Sequence, residues 1–127
     1  MTQPPLPSEA ELLLLRALWE HPNATVQHVH EWITAAGKDV SYTTVLTQLQ
    51  RMHRKGLVTR SRAGKQHQYR AAVDRSATET ALVERLSDTV FAGSALRLAL
   101  KALGTDQPSL EELDELERWI AEQKDNR

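Results

Sequence analysis

Apolar residues recur at helical spacing in several separate runs, each bounded by a residue suited to start or stop a helix. In the first run, Ser8 holds a cap position and Glu11 follows three residues later, the spacing of a capping box. Leu12 to Leu15, Leu18 and Trp19 then give a broad apolar surface, and Pro22 stops the helix near Glu20. Thr25 caps a second helix whose Val26, Val29 and Ile33 fall on one stripe, with Trp32 close to it; the helix reaches Ala35 and Gly37 ends it. A third helix is predicted from Tyr42 to Lys55, capped by Ser41 and closed by Gly56 in a left-handed turn. Val45, Leu49 and Met52 share one of its faces with Leu46 beside them, whereas Thr43, Thr44, Thr47, Gln48 and Arg51 fall on the other side.

Beyond Gly56 the period changes. Leu57 to Tyr69 alternates weakly, and Ala63-Gly64-Lys65 suits a hairpin tip, so two short strands are predicted over about 58–70. Three helices followed by a two-stranded wing is the plan of a winged helix-turn-helix. The expected fold is therefore mainly α with a small β-wing: a DNA-binding domain over residues 1–73, led in by a loose Pro-rich segment from Met1 to Pro7. A helical dimerisation region over 74–127 completes the chain. There Ser76 and Glu79 have capping-box spacing, Val83, Leu86 and Val90 make a stripe, and Gly93-Ser94 breaks the helix. Ala95 to Leu103 resumes the apolar pattern as far as Gly104. Ser109 with Glu112 opens a last helix whose stripe is Leu110, Leu113, Leu116 and Ile120, with Trp119 alongside. No layer of the same chain is in sight to cover these stripes, and the same stripes of a second copy supply one. Val83, Leu86, Val90, Leu113, Leu116, Trp119 and Ile120 are the expected homodimer contacts.

Charge sharpens the picture. The formal net charge of −1 argues against nucleic acid only until it is divided. Residues 1–39 hold two Lys/Arg against five Asp/Glu, residues 40–73 hold seven against none, and residues 74–127 hold seven against twelve. Phosphate attraction is local, so an acid-free basic stretch that coincides with a helix and a hairpin points to DNA. Thr43, Thr44, Thr47 and Gln48 are short enough to read base edges in the major groove. Arg51, Arg54 and Lys55 lie further along the helix, towards phosphates, and Arg60, Arg62 and Lys65 on the wing would hold the adjacent backbone. The free amides near Ser41 and Tyr42 add one more phosphate contact. The same basic face also suits a winged-helix module that binds an acidic protein partner.

Other chemistry finds little support. There is no Cys, which removes disulfides, thiolate metal sites and Cys nucleophiles. His28 and His30 are two residues apart and point away from each other on a helix, and His21, His53 and His67 lack partners at ligand spacing. Surface or capping roles are expected for them, with no metal and no cofactor. No GxSxG, GxGxxG or P-loop pattern occurs, so no enzyme is expected. No signal peptide or membrane span is evident, and a cytoplasmic protein is the default expectation.

Several segments resemble the penicillinase repressor family (BlaI/MecI type, with a copper-responsive CopY branch). They are Ser8-Glu-Ala-Glu11, Ala17-Leu-Trp19 and Ala24-Thr-Val26, then Tyr42-Thr-Thr-Val-Leu-Thr47, Leu49-Gln-Arg-Met52, Arg54-Lys-Gly-Leu57 and Gln68-Tyr69-Arg70. The likeness spans about residues 8–120 and includes Phe91-Ala-Gly-Ser94, with its specific part between Tyr42 and Leu57. It implies a dimeric winged-helix repressor of a palindromic operator, with base readout at Thr43, Thr44 and Thr47. The copper branch senses through cysteines, which this chain lacks. The antibiotic-resistance members are switched by cleavage at an Asn-Phe bond, and the matching region here reads Leu96-Arg-Leu-Ala-Leu-Lys101. A sensor protease is thus a partner implied by the resemblance alone.

Overall fold

A computed structural model describes residues 4–127; Met1, Thr2 and Gln3, the start of the expected lead-in, lie outside the described residues. The elements are α1 (Glu9–Glu20), β1 (Ala24–Thr25), α2 (Val26–Ala35), α3 (Tyr42–Lys55), β2 (Val58–Ala63), β3 (Gln66–Ala71), α4 (Arg75–Val90), α5 (Ala95–Thr105) and α6 (Leu110–Asp125). They form two compact units, one ending at Leu82 and the other running Val83–Arg127. The division falls inside α4.

The first unit is built around α1, α2 and α3. Each helix turns one apolar stripe inward: Leu14, Leu15 and Leu18 from α1, Val26, Val29 and Ile33 from α2, and Val45, Leu49 and Met52 from α3. Leu57, Val58 and Tyr69 close the core from the strands. The local stops and starts are those expected. Ser8 and Glu11 form a reciprocal capping box, and the αL residue Gly56 (φ 86°) ends α3, with the Leu57 N–H bonded back to the Met52 carbonyl. The lead-in is less loose than expected, since Pro7 is buried and Pro4 lies beside Gly56.

The sheet corrects one expectation. The wing is a hairpin of β2 and β3, but β1 joins it to make three strands in the order β1-β3-β2. Ala24 pairs with Tyr69 and Thr25 with Gln68, tying the start of α2 to the root of the wing. Two residues carry no alternation to read, so only the folded chain reveals this strand. The hairpin also runs further than expected. Ala63 pairs with Gln66, which leaves Gly64-Lys65 as a two-residue tip with Gly64 at φ 64°.

A second correction concerns the start of α4. Asp74, rather than Ser76, caps it: the Asp74 carboxylate accepts from the Ala77 N–H at 2.9 Å. The Asp74 carbonyl accepts from both the Thr78 amide and the Thr78 hydroxyl. Starting two residues earlier buries Thr78, sets Arg75 over the Trp19 ring at 5.6 Å and pairs Arg75 with Glu79. Trp19 also donates its indole N–H to the Val73 carbonyl at 3.0 Å, so the chain entering α4 is tied to α1.

In the second unit, the break after Val90 falls at Ala92 and Gly93 (φ 52° and 83°), and Ser94 caps α5. Gly104 lies within α5 instead of ending it. Ser109 and Glu112 close a second reciprocal box at the head of α6. No side chain of α5 or α6 is buried.

One long-range ion pair contributes to the acid stability of the first unit. Glu11, almost buried, accepts from the Lys55 ammonium at 2.8 Å and from the Ser8 backbone N–H at 2.9 Å. Burial pushes the Glu11 carboxyl up, but the Lys55 and Ser8 hydrogen bonds together with the Lys55 charge outweigh it and hold the group below its ordinary value. A lowered folded-state value stabilises above the ordinary carboxylate range, and that contribution disappears as pH falls through the depressed value. Glu11→Gln is expected to lower stability at neutral pH by about 1 kcal/mol and to flatten the acid limb in urea melts taken from pH 7 downward. Identical acid sensitivity of variant and parent would remove the assigned role.

Candidate nucleic-acid interface

The inward stripe of α3 determines what its outer surface presents. Val45, Leu49 and Met52 are fully buried, and the helix period then places Thr43, Thr44, Thr47 and Arg51 in solvent, with Gln48 half-buried at the edge. These five residues line one shallow concavity. Its N-terminal end is ordered by a side-chain bridge. Ser41 Oγ accepts from the Thr44 amide at 3.1 Å and donates to Thr44 Oγ1 at 2.9 Å. His30 holds the approach to this helix, bonding the Val40 carbonyl at 2.8 Å through Nε2. A carbonyl oxygen only accepts, so Nε2 is the protonated ring nitrogen.

The wing stands beside the start of α3. Its register puts Arg60 opposite Tyr69 and Arg62 opposite His67, so these four residues share one face. Thr59 and Arg70 share the other. A cleft of about 190 Å³ joins that first face to the helices, with Tyr42 from α3 and Lys65 from the hairpin tip both lining it. Gln27, Gln66 and His67 also line it. Sequence reasoning did not assign them to a site; the polar run Gln66-His67-Gln68 inside a strand was the available signal.

The electrostatics are unbalanced in a specific way. The ion pairs among the described residues are Lys55–Glu11 and Arg75–Glu79. Arg51, Arg54, Arg60, Arg62, Lys65 and Arg70 therefore have no carboxylate within ion-pair distance among those residues, and all six are exposed. Lys55, expected to face phosphates, instead places its ammonium on Glu11 and fastens the end of α3 to α1. Ser41 and Tyr42 sit at the α3 start, with Tyr42 about half exposed and edge-on to the His30 ring.

The residues expected at a dimer seam are placed differently. Val83, Leu86, Val90, Leu113, Trp119 and Ile120 are exposed and Leu116 is half-buried in the single chain. Trp119 is 57% exposed, a large apolar area to leave in water. Among the described residues there is no group of three metal-ligating side chains, and no helix is long and apolar enough to cross a membrane.

Comparison with known proteins agrees with this fold. The sequence profile described as Penicillinase repressor matches residues 7–122. Transcriptional regulator BlaI of Mycobacterium tuberculosis strain H37Rv is 33% identical over 116 residues, covering 90% of this chain and 82% of that protein. Its counterpart in strain CDC 1551 matches to the same extent. The solution structure of the DNA-binding domain of the repressor BlaI superposes with a TM-score of 0.51 at 26% identity, over 60% of this chain and 92% of that one. The Bacillus licheniformis BlaI monomer in complex with the blaP half-operator gives a TM-score of 0.50 at 26% identity, with the same coverage. A MarR family protein from Bacillus stearothermophilus shares the fold at 20% identity, with a TM-score of 0.51 over 94% of this chain and 74% of that one. With the profile spanning nearly the whole chain and a curated regulator one-third identical to it, this protein belongs to the penicillinase repressor family of winged-helix transcriptional regulators.

Proposed function

We propose that the chain acts as a homodimeric repressor that occupies a palindromic operator, each copy reading one half-site. The observation that carries the proposal is the exposed concavity of Thr43, Thr44, Thr47, Gln48 and Arg51, flanked by cations with no carboxylate partners among the described residues. Desolvating an unpaired cation against a phosphate releases a counterion and forms a charge-assisted bond, without first breaking an internal one. In this reading Thr43, Thr44, Thr47 and Gln48 contact base edges. Ser41 and Tyr42 at the helix start, Arg51 and Arg54 along it, and Arg60, Arg62 and Lys65 on the wing hold the backbone. Lys55 contributes charge at the helix end while tethered to Glu11.

Residues 1–73 form the reading head in this proposal, and residues 74–127 the dimerisation region. The exposed Val83, Leu86, Val90, Leu113, Trp119 and Ile120, with half-buried Leu116, are the surface a second copy covers. A BlaI relative binds a half-operator as a monomer. Two copies related by a twofold axis would then span successive major grooves roughly 34–36 Å apart. The relatives are transcriptional regulators.

A gel shift with promoter DNA from upstream of the protein's own gene, in excess non-specific competitor, tests the proposal. Retention of symmetric fragments supports it. Retention of acidic protein partners instead, with no preference among DNA fragments, would favour the interaction-module reading. Arg51→Ala and Lys65→Ala are each expected to weaken binding to all sequences. Each should lower the slope of log K against log salt by about one unit per lost phosphate contact, hence about two per dimer. Thr44→Ala and Thr47→Ala should leave that slope intact and change the bases preferred at one operator position; an unaltered preference in a selection assay counts against direct readout. Trp119→Glu, at an exposed position, should yield a folded monomer by sedimentation and cost about a hundredfold in operator affinity through lost avidity. A variant that still dimerises refutes the assigned seam.

A further inference from the structure

A third concavity in the first unit is also bordered by Gln48. It is a groove of about 580 Å³, within the range of small-molecule sites, floored by the apolar side chains of Leu12, Leu13 and Val40. Leu12, Leu13 and Val40 are each only half-buried, so the core does not use them fully.

The groove has a polarity along its length. Arg16 and Lys38 line it near the C-terminal end of α2. The Arg16 guanidinium lies 5.6 Å from the Trp32 ring centroid, and the Lys38 amide bonds the carbonyl of neighbouring Ile33 at 3.2 Å. Neither cation has a carboxylate within ion-pair distance among the described residues. Glu9, the acidic lining residue, stands two turns of α1 from Arg16, about 10 Å along the axis. An apolar floor lined also by two cations without carboxylate partners among the described residues complements a molecule with an apolar body and an anionic end.

We propose that this groove binds a small aromatic or aliphatic carboxylate, its ring or chain on Leu12, Leu13 and Val40 and its carboxylate between Arg16 and Lys38. The ligand also acts on DNA binding. Gln48 lines this groove and the threonine concavity alike, so a molecule in the groove restricts the side chain assigned to base readout and weakens operator affinity. That consequence rests on the reading face proposed above; binding in the groove does not. The volume fits a molecule of one or two rings, whereas a docked helix of a second chain requires a stripe of apolar anchors over several turns.

The test uses 2-naphthoate and the full chain. Titration followed by amide NMR is expected to shift Leu13, Val40 and Gln48. Arg16→Glu combined with Lys38→Glu should weaken 2-naphthoate at least tenfold and the neutral 2-naphthalenemethanol less than twofold. Lys38→Gln alone, in the exposed turn after α2, should weaken 2-naphthoate about threefold and guards against a fold defect in the double variant. Saturating 2-naphthoate should reduce operator affinity several-fold in the parent and leave the double variant unaffected. Shifts confined to α4–α6, equal affinity for the acid and the alcohol, or undiminished operator binding at saturation would overturn the proposal. A chain that binds 2-naphthoate at these residues but never retains operator DNA would overturn the DNA reading instead.

Discussion

Burial of one stripe of α3 governs the rest of this molecule. Val45, Leu49 and Met52 are held in a core supplied by α1, α2 and the strand residues Leu57, Val58 and Tyr69, and the helix cannot rotate without lifting them into water. Exposing three such side chains would cost several kcal/mol, at about 1.5–3 kcal/mol each. The same constraint directs Thr43, Thr44, Thr47 and Arg51 outward as a set. The proposed reading face is thus the geometric remainder of the core, and its rigidity comes from packing behind it.

The supports around α3 serve that orientation from both ends. At its start, Ser41 orders Thr44 and His30 holds the Val40 carbonyl. At its end, Gly56 turns the chain and Lys55 is drawn onto Glu11 of α1. Using a cation of the basic stretch as an internal tether removes it from the unpaired set and leaves six others without acidic partners among the described residues. Pairing β1 with β3 anchors the wing to the start of α2, so the arginines of β2 stand at a fixed place beside the helix.

The two units differ in how they satisfy their apolar side chains. The first closes a core of its own. The second leaves Leu96, Leu100, Leu110 and Trp119 well exposed, with nothing buried on α5 or α6. Short amphipathic helices gain most of their stability from packing, so a surface of this kind makes sense as one half of an interface. In the proposed dimer that interface also supplies the second reading head. Leu96 and Leu100 lie within the helical turns of α5.

Local chemistry was readable from residues alone. The capping boxes Ser8/Glu11 and Ser109/Glu112, the left-handed Gly56 and the apolar stripes act within one or two turns, and they placed most helix ends where they occur. The acid-free basic stretch was equally visible, because charge adds along the chain whatever the fold. Interactions between distant segments were decided only in three dimensions. β1 exists because Ala24 and Thr25 meet β3, forty-odd residues further on, and Lys55 meets Glu11 across a separation of 44 residues. Asp74 displaces Ser76 as a cap because the earlier start buries Thr78 and seats Arg75 on Trp19. That Gln48 borders two concavities is likewise a property of packed helices. A stripe or a cap depends on neighbours in sequence, whereas a strand pair, a buried ion pair or a groove depends on which segments the core brings together.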